Sequence, residues 1–145
     1  MNAALPRPIN AGDPRLGELL AACGLPTEDL GAPNQRFWSI NGKDGELLAA
    51  GGLEVYGTDA LLRSLAAHPK RRGQGLAARL LDVVLEDART QDLAALYLLT
   101  ETAEGYFEKK GFRIIERRDS PAPIRSAPQF AGICPDDATA MMLAL

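Results

Sequence analysis

Apolar positions along the chain change their spacing several times, and each change marks an element. Leu16, Leu19, Leu20 and Cys23 recur at helical intervals behind Asp13-Pro14, a capping carboxylate with proline at the first helical position. Gly24 stops that run, and residues 26–30 allow one more turn, making a helical elbow. From Arg36 the period falls to two. Residues 37–40 predict a short strand, 41–45 a hairpin turn with two glycines, and 46–56 the returning strand. In that strand Leu53 and Val55 share one face while Glu54 and Tyr56 share the other, and Gly51-Gly52 predicts a bulge or a close backbone approach. Gly57 turns the chain into another strand over 60–67, so this region forms an antiparallel meander. A weaker signal allows an edge strand over 7–10.

The longest helix is predicted over 75–92. Leu76, Leu80, Val83, Val84 and Ala88 form its apolar stripe, and Arg79, Asp82, Glu86 and Arg89 dominate the other face. The nearly continuous apolar run 93–100 suits a strand covered on both faces. Strand, helix and strand in this order imply a right-handed crossover and a parallel pair. A helix over 103–110 ends at Gly111, strands follow over 112–117 and 138–145, and the proline-rich segment 120–135 holds short helical turns at most. The class is α/β, with a mixed, twisted sheet of six or seven strands and about four helices.

With 145 residues and 46% hydrophobic content, the chain reads as a single domain over 1–145 with material for a full core. A formal charge of −3 makes a nucleic-acid partner unexpected, because the basic residues are local. No charged-then-apolar leader and no bilayer-length apolar run stand in the sequence, so the expectation is a soluble, cytoplasmic protein without a membrane partner. Cys23, Cys134 and the single histidine, His68, show no metal-ligand spacing, so no metal is expected.

The most informative stretch runs from Arg63 to Ala77: the end of an apolar strand, a basic glycine turn, and the opening of the long helix. Main-chain N–H groups at a helix start have no intrahelical partner and sit at the positive end of the helix dipole. Gly73 and Gly75 let an anion approach the backbone, and Lys70, Arg71 and Arg72 add charge. The stretch is suited to a phosphate or pyrophosphate. It is not a P-loop, since GxxxxGK followed by Ser or Thr is absent, and the spacing excludes a dinucleotide fingerprint.

Arg72-x-x-Gly75-x-Ala77 matches the (Arg/Gln)-x-x-Gly-x-(Gly/Ala) signature, and in this strand order the chain resembles the GNAT superfamily of N-acetyltransferases. Leu65-Ala-Ala-His-Pro69 and Ala103-x-x-Tyr-Phe-x-Lys-x-Gly-Phe112 stand where that family places comparable segments. Leu61–Leu65, the run 98–105, Pro123-Ile-Arg125, Gln129-Phe130 and Cys134-Pro135 also look like small members known as arsenic-resistance acetyltransferases. No pair of close thiols suited to trivalent arsenic exists, so an oxidised organoarsenical amine fits these residues better.

The resemblance implies a sheet splayed after its fourth strand and acetyl-CoA as co-substrate. The backbone of Arg71, Arg72, Gly73, Gln74, Gly75, Leu76 and Ala77 would cradle the pyrophosphate. Leu65, Ala66 and Ala67 would pair with the pantetheine arm, with one N–H there, at Leu65, stabilising the thioester oxyanion. Thr100 and Phe107 would complete the cofactor side.

The tyrosine that protonates the leaving thiolate in the family is replaced by Phe107, and Tyr106 stands one position earlier, about 100° around the helix. A thiol of pKa ~8.5 leaves as thiolate at a cost of roughly 2 kcal/mol, so the missing acid is tolerable. Tyr106, Thr100, Thr102 or water are the candidates to supply that proton, and Glu54, then Glu101, the candidate base. Arg63 is either the ion-pair partner of Glu54 or a fork for an anionic group on the acceptor, with Tyr56, Arg125 and Gln129 nearby in function.

The expected activity is acetyl transfer in a ternary complex to a small amine carrying an anionic group, such as an amino acid or a phosphinic or arsenical analogue. The alternative is a catalytically weak acyl-CoA-binding module. A homodimer is compatible with either reading.

Overall fold

A computed structural model describes residues 5–133 and 138–145; Cys134 and Pro135 lie outside the described residues. Seven strands form one sheet: β1 (Arg7–Ile9), β2 (Gln35–Asn41), β3 (Leu47–Tyr56), β4 (Asp59–Ala67), β5 (Ala95–Thr100), β6 (Arg113–Ile115) and β7 (Thr139–Ala144). Their order is β1-β2-β3-β4-β5-β7-β6, with β4 and β5 parallel and every other pair antiparallel. The helices are α1 (Pro14–Ala22), α2 (Leu76–Thr90), α3 (Glu104–Lys109) and the single turn α4 (Ala122–Arg125). None of these helices is long and apolar enough to cross a membrane.

Helix α1 starts where Asp13 accepts a hydrogen bond from the Arg15 N–H, the capping arrangement its sequence calls for. It lays Leu16, Leu19 and Leu20 on Phe37, Ala50 and Ala66. Helix α2 covers the opposite face and buries Leu76, Leu80, Leu81, Val84, Leu85 and Ala88. The apolar stripe is therefore wider than the sequence spacing indicates: Leu81 and Leu85 are buried, and Val83 only partly so. A helix lying flat on a sheet buries a broader arc than the narrow seam of a coiled coil.

Two irregularities shape the middle of the sheet. Ala50 pairs with Ala66 and Gly52 with Arg63, so two steps along β3 oppose three along β4. The extra residue is a bulge in β4, where Ser64 takes φ of 59°. The glycine pair on β3 marks the close approach: a Cβ on Gly52 would stand 2.4 Å from the Phe37 ring. The second irregularity is a divergence. β4 and β5 pair only at Asp59↔Ala95, Ala60↔Leu96 and Leu61↔Tyr97, and beyond these positions they part. β7 pairs with the far edge of β5, from Ala95↔Ala144 to Thr100↔Thr139, which holds the end of β5 away from β4.

Candidate functional site

The parting of β4 and β5 opens a cleft of about 780 Å³. Residues 62–67 form one wall and 98–103 the other, with Tyr106 and Phe107 of α3 behind. Arg72 and Ala77 close the end at α2, while residues 23–26, Glu28, Gln129 and Ala138 face it from the elbow and the proline-rich segment.

At the α2 end the turn is built by glycine. Gly73 and Gly75 have φ of 82° and 75°, and open space surrounds both Cα positions. Gly75 is the N-cap and contributes no side chain, so no cap side chain competes for the first-turn N–H groups. His68 caps the preceding 3₁₀ turn, its Nδ1 accepting from the Lys70 N–H at 3.1 Å. Lys70, Arg71, Arg72, Gly73, Gln74 and Gly75 are all exposed, giving a basic collar around bare amides. A pyrophosphate fits such a nest.

Along β4 the His68 N–H donates to the Leu48 carbonyl, which sets the alternation of the ladder. Ala66 accordingly bonds toward β3, and Leu65 and Ala67 turn their main-chain groups to the free edge. The Cys23 thiol reaches the Ala67 carbonyl there at 3.3 Å. Leu65 follows the bulge directly, so its N–H lies where the strand edge has no partner strand. An extended amide-bearing ligand arm can add to this edge as an extra strand.

Arg63 is not a free fork. Its side chain is fully buried, with Nη1 and Nη2 donating to Asp29 at 2.6 and 2.8 Å, Nη1 also to Glu54 at 2.6 Å, and Nε to Ser64 Oγ at 2.9 Å. Burial alone would lower the arginine pKa, but the Asp29 and Glu54 carboxylates outweigh it and raise it. The acceptor-gripping role is corrected on this ground, since the donors point into an internal network. Glu54 is corrected with it: at 1% exposure it also accepts from Tyr56 at 2.7 Å and Gln35 at 2.8 Å, so it is a structural anion rather than an accessible base. Tyr56 has its hydroxyl proton on Glu54, and burial together with that bond raises its pKa to about 12. Arg125 is turned to the carbonyls of Ser120 and Arg118 and does not line the cleft. Asp29 was not legible in the sequence; it stands 34 positions from Arg63 in a segment with no pattern of its own.

On the other wall Phe107 packs edge-on against Phe112 with ring centroids 5.5 Å apart. The Tyr106 hydroxyl is buried without a hydrogen-bond partner among the described residues. Burial, then the charge of Asp82, raises its pKa. Thr100 accepts from the Ala103 N–H at 3.1 Å, holding the exit of β5, and Glu101 is exposed at the rim. Gln129 does reach the cleft, at 5% exposure, and its amide has no partner among the described residues. Among the described residues no group of three or more His, Cys, Asp and Glu is placed to hold a metal ion.

A sheet that splays beside a glycine-built helix start offers a cleft and an exposed nest of amides suited to an extended, phosphate-bearing ligand. The model of the acetyltransferase (GNAT) family matches residues 8–112, and the chain belongs to that family. Among solved structures it is similar to N-acetylglutamate synthase from Neisseria gonorrhoeae complexed with coenzyme A and N-acetyl-glutamate. There the TM-score is 0.75 at 17% identity, over 99% of this chain and 36% of that one. A GNAT-family acetyltransferase from Staphylococcus aureus Mu50 gives 0.74 at 18%, over 97% and 99%. Rv2747 from Mycobacterium tuberculosis, in complex with CoA and NLQ, gives 0.69 at 20%, over 97% and 99%. No curated protein matches the chain.

Proposed function

We propose that this chain transfers an acetyl group from acetyl-CoA to the amine of a small molecule by direct attack in a ternary complex. The observation that carries the reading is the splayed cleft running from the bare edge of β4 to the amides of Gly73 and Gly75. The glycine turn holds the pyrophosphate, Leu65 and Ala67 hold the pantetheine arm, and the Leu65 N–H faces the thioester oxygen. Holding amine and thioester together supplies several kcal/mol of the barrier reduction. The acceptor enters on the face of the sheet that carries the elbow and Gln129. With Arg63 and Arg125 both turned to internal partners, an anionic group on the acceptor has lost the side chains that suggested it, and Gln129 offers neutral amide recognition instead.

The test pairs binding with turnover. CoA at 100 times its dissociation constant should stabilise the chain by about 2.7 kcal/mol. Thiol release is then followed over L-glutamate, phosphinic and arsenical amino acids, a primary monoamine and spermidine. Amine-dependent release supports the reading. Stabilisation by CoA with no release from any amine assigns the chain to acyl-CoA binding alone, and failure of both overturns the site.

A further inference from the structure

Seven glycines and two other residues hold positive φ among the described residues. One of the two, Asp92, is exposed just past the end of α2, a common setting for a left-handed aspartate. The other is Ser64, 8% exposed in the middle of β4 at a φ of 59°. Glycine would adopt that conformation without steric penalty, yet the chain carries a hydroxyl there. Strained non-glycine residues of this kind concentrate at functional sites.

The hydroxyl is also specifically oriented. Its oxygen accepts from Arg63 Nε at 2.9 Å, its own O–H has no acceptor among the described residues, and Ser64 lines the cleft. It immediately precedes Leu65, whose N–H the acyl-transfer reading places at the thioester oxygen. The position that would supply a phenol is the apolar Phe107, and Tyr106 lines the back of the cleft, its ring packed against the cluster beneath α2, whereas Ser64 directly adjoins Leu65 on the β4 wall.

We infer that Ser64 is a catalytic residue, which relays a proton from the attacking amine to the departing sulfur; the inference rests on the acyl-transfer reading. The amine lone pair forms the C–N bond, the C–S bond breaks, and its electron pair stays on sulfur. The N–H proton passes to Ser64 Oγ while the serine proton passes to sulfur. Serine begins and ends neutral, so it never has to ionise, and amide and free thiol are the only products. Arg63 acts through Ser64 as a positioning residue: its Nε–H occupies one lone pair and leaves the other, with the proton, toward the cleft.

Ser64→Gly and Ser64→Ala test this together. Thiol release from acetyl-CoA is measured with hydroxylamine, a nucleophile small enough not to depend on the acceptor pocket, and CoA-dependent thermal stabilisation is measured beside it. Both variants should lose about 100-fold in kcat. The KM for acetyl-CoA and the shift produced by CoA should stay as in the wild type. Ser64→Gly should melt above Ser64→Ala, because only glycine relieves the positive φ. The inference is overturned if either variant retains kcat within about threefold of wild type, or if activity follows the melting temperatures instead of the hydroxyl. A wild-type chain that takes up no CoA refutes the acyl-transfer reading before any variant is made, whereas active variants refute only the role of Ser64.

Discussion

Replacing Arg63 by methionine keeps most of the side-chain length and removes the cation that Asp29 and Glu54 share. The two carboxylates are 7% and 2% exposed, so neither is well hydrated when the guanidinium goes. Breaking a buried pair from one side costs about 3–5 kcal/mol. The structure places this case near the lower figure. Glu54 keeps two donors, Tyr56 and Gln35, while Asp29 sits on the elbow and can swing toward water. A loss of about 3 kcal/mol lowers the melting temperature by about 6–12 °C in a chain of this size. In urea, with a slope of about 2 kcal/mol/M, it moves the midpoint by about 1.5 M. Combining Arg63→Met with Asp29→Asn and Glu54→Gln should recover much of the loss, because neutralising a whole buried network is far less costly than stranding part of it. A midpoint shift below about 0.5 M for the single variant would refute the reasoning, since that is the scale of an exposed pair. CoA affinity should stay at the wild-type level, as the glycine turn does not touch this network.

Other expectations are as direct. Gly75→Ala puts a Cβ at a φ of 75° into the open space beside the turn, so it should cost about 1–2 kcal/mol in stability and weaken CoA by at least about tenfold in calorimetry. An unchanged CoA constant would remove the turn from the site. Arg72→Ala should weaken CoA by a factor that shrinks as salt rises; a salt-independent loss would mean that packing, not charge, was removed. Tyr56 carries a pKa raised to about 12, against about 10 in the unfolded chain. The folded state therefore retains a proton the unfolded state releases, and stability falls as pH rises from about 10 to about 12. Tyr56→Phe should make that alkaline loss shallower in urea titrations, and an unchanged slope would contradict the shift. Tyr106→Phe removes a buried hydroxyl with no partner among the described residues, so stability should hold or rise by up to about 1 kcal/mol, and a clear loss would reveal a bond.

Much of the architecture was legible because it rests on local chemistry. Asp13-Pro14 starts α1, Gly75 starts α2, and the change of period at Arg36 opens the meander. The seventh strand was expected, but not its insertion between β5 and β6, because strand order depends on which edge a returning segment meets. Gly51-Gly52 announced the bulge from the wrong strand: the extra residue lies on β4, and the glycines make room for their neighbours, Gly51 for the Leu65 side chain and Gly52 for the Phe37 ring. Residue type was a good guide to the turn before α2, whose main chain is left exposed at positive φ by Gly73 and Gly75.

The side chains of the β4 wall were harder to read for the same physical reason in reverse. A side chain's role there is decided by which partner it meets first, and partners far apart in the sequence leave no pattern. Arg63 is charged, lies in the right strand and borders the cleft, all of which suggested contact with substrate. Asp29, from a segment without periodicity, takes both of its terminal nitrogens and turns a would-be binding residue into a brace. That brace still bears on the site, since its Nε–H is fixed on Ser64 and its far end fixes the elbow. If the brace positions Ser64, then Arg63→Met and Ser64→Gly should be non-additive in kcat, because the second removal finds its target already misplaced. Independent losses that multiply would separate the two residues and leave Arg63 with stability alone.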